Sequence, residues 1–243
     1  MWTYSGIREY VKVTMLSYKN QILRLLQKMP TWGKSSNRHF MIISTNNLVA
    51  RGQVFPFYFY QKELLIQCDA TFTEVTIEDY IGSNCVANPR TTIVFFQPWF
   101  TISENELRST LAKIRKEFPS AKVVFLDCFA PLDLRFAELV NPLIDLYVKK
   151  QAFRDRSEYD KSTRGDTNLV DYYGQLYGIH YDLKTVTIPA GFFDKFLIGP
   201  GFVTSKRMLP TLANRAQINP SVRTIDVHAR LGGKGADWYG KMR

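Results

Sequence analysis

Four short stretches of the chain, His39–Ser44, Thr91–Phe96, Lys122–Asp127 and Asp145–Lys149, are apolar almost without interruption. Continuous runs of Val, Ile, Leu and Phe, unlike alternating ones, are what parallel strands covered on both faces require. Between them the apolar spacing changes to threes and fours. Gln53–Ile66 predicts a helix with Pro56 in its first turn, where a missing N–H does little harm. Ser103 predicts the cap of a helix that carries Glu104 and Glu106 in its first turn and Lys113, Arg115 and Lys116 towards Phe118, with Pro119 as its stop. A further helix is expected from Asp133 to about Leu143. Strand, helix, strand, helix, strand over 91–149 is the order of an α/β, doubly wound, mostly parallel Rossmann-like sheet, which takes its ligands beyond the carboxyl ends of the strands.

The flanking segments are less regular. Ile7, Tyr10, Val11, Met15, Tyr18, Ile22, Leu25, Leu26 and Met29 share one side of an N-terminal helix whose other side is basic, so it suits either packing on the domain or lying on a membrane surface. Residues 68–90 carry weak patterning, with a short helix over Ile77–Ile81. Charge dominates Phe153–Asn168, which predicts a mobile loop; a Tyr-rich helix over Val170–Tyr177 and a strand over Thr185–Ile188 follow. A cationic helix is expected over 206–216. Arg223–Arg230 then alternates like a strand, Leu231–Gly235 turns, and Ala236–Arg243 opens a helix. These signals divide the chain into an N-terminal helix and loop (1–37), a Rossmann-like domain (38–221) and the incomplete start of a second Rossmann-like domain (222–243).

Charge narrows the partners. Thirty-two Lys and Arg against twenty-two Asp and Glu give a formal charge of +10, which favours phosphorylated or polyanionic ligands. The three cysteines, Cys68, Cys85 and Cys128, form no CxxC pair, and His39, His180 and His228 stand apart, so neither a disulfide framework nor a metal site is expected. No secretory signal and no apolar run of about 20 residues is present, so a cytoplasmic protein is expected, with room for peripheral contact at the inner membrane surface. The strand-to-helix turns lack GxGxxG, and GxxxxGK[ST] is absent, which argues against a dinucleotide cofactor and against a P-loop. The same missing glycine turn argues against a Rossmann methyltransferase. No cofactor is implied.

The last segment does carry phosphate chemistry: a strand, then Gly232, Gly233 and Lys234 in a turn, then a helix start, can present backbone N–H groups and a cation together. Arg230-Leu231 followed by Lys234-Gly235 resembles the stretch that ends the first strand of the C-terminal domain in GT-B glycosyltransferases, two facing Rossmann-like domains of the kind that act on bacterial polysaccharides. Here the spacer is shorter, and Ala229 stands where that family usually has glycine. Stretches from Asp127 onward, among them Ala130–Ala137, Tyr147–Lys150, Phe153–Arg156 and Asp166–Tyr173, also look like family-1-type bacterial glycosyltransferases. The resemblance implies a nucleotide-sugar donor whose diphosphate meets Arg230, Gly232, Gly233 and Lys234, and a saccharide or lipid-linked acceptor. It also implies that the paired glutamates of the donor domain lie outside this sequence, so the chain is expected to be inactive alone.

Within that resemblance the residues at strand ends acquire roles. Asp127, closing a strand, and Asp133, at the expected start of the following helix, are the candidate bases for the acceptor hydroxyl; a helix cap and a loop-binding carboxylate are their structural alternatives. Thr45, Asn46, Arg51 and Gly52 follow the first strand, where this fold lines its cleft. The rival reading is a non-catalytic basic module for nucleic acid or an anionic surface, although no RNP, KH or helix-turn-helix signature supports nucleic acid.

Overall fold

The computed structural model describes residues 38–45, 47, 49–82, 88–99, 101–165, 168–201, 204–206 and 208–210. The helix expected over 5–29, most of the one expected over 206–216, and the final strand, turn and helix start lie outside these residues.

The four continuous apolar runs are strands: β1 (Arg38–Ser44), β3 (Thr91–Phe96), β4 (Lys122–Asp127) and β5 (Leu146–Lys149). Two more, β2 (Ala70–Thr76) and β8 (Phe196–Ile198), extend them into a six-stranded sheet of order β2-β1-β3-β4-β5-β8. Every pair in it is parallel. A separate antiparallel ribbon joins β6 (Thr163–Arg164) to β7 (Leu183–Lys184).

Successive side chains of a strand face opposite ways, and both faces are covered. Phe40, Ile42, Phe95, Val124 and Val148 pack with Val54 and Phe57 of α1 (Arg51–Phe59) and Leu64 of α2 (Gln61–Cys68). Met41, Ile43, Val94, Phe125 and Tyr147 pack on the other face against α3 (Ile77–Ile81), α4 (Glu104–Glu117) and α5 (Ala137–Val140). Helices on both faces of a parallel sheet make the chain an α/β, doubly wound protein. Because α1 and α2 lead left from β1 to β2 while α3 leads back to β3, the switch point of the winding falls between β1 and β3.

α4 begins as its sequence requires. Ser103 Oγ accepts the Glu106 N–H at 3.2 Å and the Glu106 carboxylate accepts the Ser103 N–H at 2.9 Å, a complete capping box. At its far end Arg115 reaches Asp145, just before β5, at 2.7 Å. Lys122 and the Val123 N–H, both at 2.9 Å, complete the set on that carboxylate. Burial alone would raise the Asp145 pKa, but these donors outweigh it and hold the carboxyl below its ordinary value. Its contribution is therefore complete above the ordinary aspartate range and disappears as pH falls through the lower folded value. Asp145→Asn should lower stability by about 1–3 kcal/mol at neutral pH and flatten the acid side of the stability–pH curve measured by urea unfolding.

Four expectations need correction. The helix predicted over 53–66 is two, broken at Tyr60, and Pro56 lies inside α1 instead of in its first turn. The carbonyl that its missing N–H would have served belongs to Gly52, four residues back. Thr204 Oγ1, from beyond β8, shares its single proton between that carbonyl and the Gly201 carbonyl, 2.7 Å away. The hydroxyl thus repairs the proline's gap, and Thr204→Val should lose about 1–3 kcal/mol where Thr204→Ser stays near the wild type in the same unfolding measurement. Equal stability of the two variants would refute the repair.

The second correction concerns Asp133, which does not cap a helix: α5 starts only at Ala137, after Phe136, and passes into a 3-10 turn at Asn141–Leu143. Third, Phe153–Asn168, expected as a mobile loop, contains a 3-10 turn (Arg156–Asp160) and β6, and buries Tyr159 against Phe153, Phe193 and Phe196. Fourth, no strand occupies Thr185–Ile188; the pairing lies just before it, at Leu183–Lys184. The Tyr-rich helix is present as α6 (Asn168–Tyr177).

Candidate functional site at the carboxyl edge

Most of the buried polar side chains lie where the strands end. Among the described residues, and apart from His39 and Thr110, the buried polar set is Ser44, Gln53, Gln97, Asp127, Lys149 and Thr204, each at or beside the carboxyl edge of the sheet. Buried polar groups must find partners, so the edge is organised by two networks, one on each face.

On the α4 and α5 face the neighbouring strand ends oppose charges, because Asp127 of β4 is in register with Lys149 of β5. Their side chains are 0% and 1% exposed and meet at 2.7 Å. Tyr147, two residues back on the same face, donates its hydroxyl to the same Asp127 oxygen at 2.5 Å. The Phe129 N–H donates to the other oxygen at 2.8 Å. Burial, followed by the Asp127 charge, pushes the Tyr147 hydroxyl well above its ordinary pKa, so it remains a donor. Both carboxylate oxygens of Asp127 are therefore engaged inside the domain.

On the α1 face two amides form a chain whose direction is fixed by a backbone carbonyl at each end. Gln53 Nε2 donates to the Asp127 carbonyl at 2.9 Å, and Gln97 Nε2 donates both to Gln53 Oε1 and to the Ala50 carbonyl, each at 2.9 Å. Cys128 donates its thiol to the Pro98 carbonyl. Burial and the adjacent Asp127 push that thiol up to about 12, so it is a neutral structural group and not a nucleophile.

The residues expected around the cleft separate into distinct positions. Arg51 is paired with Glu74 of β2 and lies 5.5 Å from the Tyr58 ring centre, and Ser44 and Tyr58 donate to the same carboxylate. Its charge is thus matched within the domain. Gly52 is buried under Thr204. Thr45 is half-buried directly after β1, at the switch point, and Asn46 lies outside the described residues, as do Arg230, Gly232, Gly233 and Lys234.

Asp133 sits apart from Asp127. Arg135 grips it with two nitrogens at 2.8 and 2.7 Å, and together with Phe153, Glu158, Tyr159 and Lys161 it lines a surface pocket between the β4 exit loop and the segment after β5. Among the described residues no group of three or more His, Cys, Asp or Glu is arranged to hold a metal ion, and no helix is long and apolar enough to cross a membrane. His39 lies at the opposite edge, bridging Thr91 and Thr73.

The sequence pattern did not single out Lys149, Gln53 or Gln97. A signal for Lys149 was present, since adjacent buried strands ending in Asp and Lys place opposite charges side by side once the register is known.

No family model matches the chain, and no curated protein is similar to it. Among solved structures, the cystathionine gamma-lyase from Lactobacillus plantarum complexed with L-serine is similar at 14% identity and a TM-score of 0.36, over 81% of this chain and 45% of that one. This chain thus spans less than half of that neighbour's length, and a likeness at that score says nothing of what it binds; the fold described above rests on the strand order itself.

Proposed function

We propose that this chain contributes the acceptor-side domain of a GT-B glycosyltransferase, which transfers a sugar from a nucleotide-sugar donor to a saccharide or lipid-linked acceptor. The observation that carries this reading is the gathering of buried polar groups at the carboxyl edge around a β1/β3 switch point that has no dinucleotide fingerprint. A doubly wound sheet binds there, and the polar groups give the edge a rigidity that a bare scaffold does not need. The Arg230-Leu231 and Lys234-Gly235 pattern supports the donor half of the reading.

In the reaction the acceptor oxygen attacks the anomeric carbon, the bond to the donor phosphate breaks, and the nucleoside diphosphate leaves with the new negative charge. Arg230 and Lys234 would stabilise that charge, with the Gly232 and Gly233 backbone beside them. Both carboxylates put forward as base have their oxygens bonded, but Asp133 lines a surface pocket where a ligand can approach it, whereas Asp127 is fully buried, so Asp133 is favoured. Asp127 then acts by fixing the β4 exit.

Thermal unfolding of the full chain with UDP- and GDP-sugars tests the proposal. At a donor concentration about 100 times Kd the stabilisation is about 2.7 kcal/mol, a rise of several degrees that Arg230→Ala and Lys234→Ala should each largely remove. Unchanged melting with every donor would defeat it. RNA binding with a steep salt dependence would favour the basic binding module instead.

A further inference from the structure

β5 ends in two consecutive lysines with opposite fates. Lys149 turns to the α4 and α5 face and meets Asp127. Lys150 follows Val148 to the other side, where both lie against the loop after β8: a Cβ at Gly199 would come within 2.2 Å of Val148 Cγ1, and one at Gly201 within 3.2 Å of Lys150 Cβ. Glycine at both places lets the loop lie directly on the end of β5.

Lys150 is only partly exposed, yet its ammonium makes no hydrogen bond or ion pair with the described residues. This sets it apart. The other described lysines that are not fully exposed all have acceptors: Lys113 the Tyr80 carbonyl, Lys122 Asp145, Lys149 Asp127, and Lys195 the Asn141 carbonyl. Burial draws the Lys150 pKa below the ordinary lysine value, and Lys149 adds a like charge. Cys128 is within electrostatic reach but holds its proton, and Asp127, also within reach, already has Lys149 as its partner. A cation that no acceptor among the described residues engages, at the ligand-binding edge of a parallel sheet, is open to an incoming anion.

We infer that Lys150, against the Gly199–Gly201 loop, is the binding point for an oxyanion of a ligand, a carboxylate or a phosphate, at the carboxyl end of β5. The site uses no residue of the donor segment, so it holds or fails independently of the glycosyltransferase reading.

The test uses the full chain at constant ionic strength, with D-glucuronate, inorganic phosphate and D-glucose as probes. Binding is read from the NMR signal of isotopically labelled lysine side chains, assigned through Lys150→Met. Glucuronate or phosphate should shift the Lys150 signal and raise its titration midpoint, and glucose should do neither. The tighter of the two anions identifies the class. Lys150→Met should weaken anion binding about tenfold or more, the scale of one charge-assisted hydrogen bond. Lys150→Arg should retain most of it, and Lys116→Met, an exposed charge in the last turn of α4, should leave it unchanged. Absence of a Lys150 shift with both anions overturns the inference, as does equal weakening by Lys150→Met and Lys116→Met. If Lys150→Met fails to fold, the shift and raised midpoint in the wild-type chain decide alone.

Discussion

Lys149→Met is expected to lose about 3–5 kcal/mol of unfolding free energy at neutral pH, the scale for stripping one partner from a buried ion pair. The size follows from what stays behind. Asp127 has no access to water, and although Tyr147 and the Phe129 N–H still donate to it, neither brings a compensating charge. Adding Asp127→Asn to Lys149→Met removes the stranded charge, so the double variant should be more stable than the single one. Chemical denaturation of the three proteins decides the matter. A Lys149→Met midpoint unchanged from the wild type would mean that the pair contributes nothing and that the two charges are solvated in solution.

Phe125→Ala should be about as damaging, by about 3–5 kcal/mol, for a different reason. Its ring is fully buried between Phe96, Phe136 and Tyr147, with centres 6.2, 6.1 and 5.0 Å away. Removing it opens a cavity beneath the residue that orients the Asp127 carboxylate, so Tyr147 loses its lateral support as well. Phe125→Leu keeps most of the volume and should cost less than about 1.5 kcal/mol. Leu and Ala variants of equal stability would show that the layer closes over the gap, which dense packing at this depth does not predict.

The central strands were legible because their burial on both faces writes them as unbroken apolar runs; β1, β3, β4 and β5 all do so. β2 was not, since it is the edge strand beside β1 and carries Thr71, Thr73 and Glu74, so nothing in its apolar content separates it from a loop. β8, with three residues, is too short for any period to show. Local chemistry read well where it is self-contained, as at Ser103 and Glu106, whose reciprocal bonds span three residues.

Where a partner is distant, the same reasoning stops. Arg51 looked available for a ligand until Glu74, 23 residues on, met it. Asp133 looked like a cap because aspartate before a helical stretch usually is one, but Arg135 two residues later takes both its oxygens. Charge concealed Tyr159 in the same way: the residues around it are polar, and only the placement of Phe193 and Phe196 after the β6–β7 ribbon gives its ring somewhere to go.

The bond from Thr204 to the Gly52 carbonyl crosses 152 residues, and this bears on how the protein is made. On the ribosome α1 emerges with one peptide oxygen unanswered, and at about 5–20 residues per second roughly 8–30 s pass before its donor is synthesised. Until then β5 has no outer neighbour either, because β8 is still to come. The nascent chain therefore carries an open β5 edge until Phe196–Ile198 is made and an unfinished helix for longer still, and a break before residue 204 leaves a species exposed to chaperones and proteases.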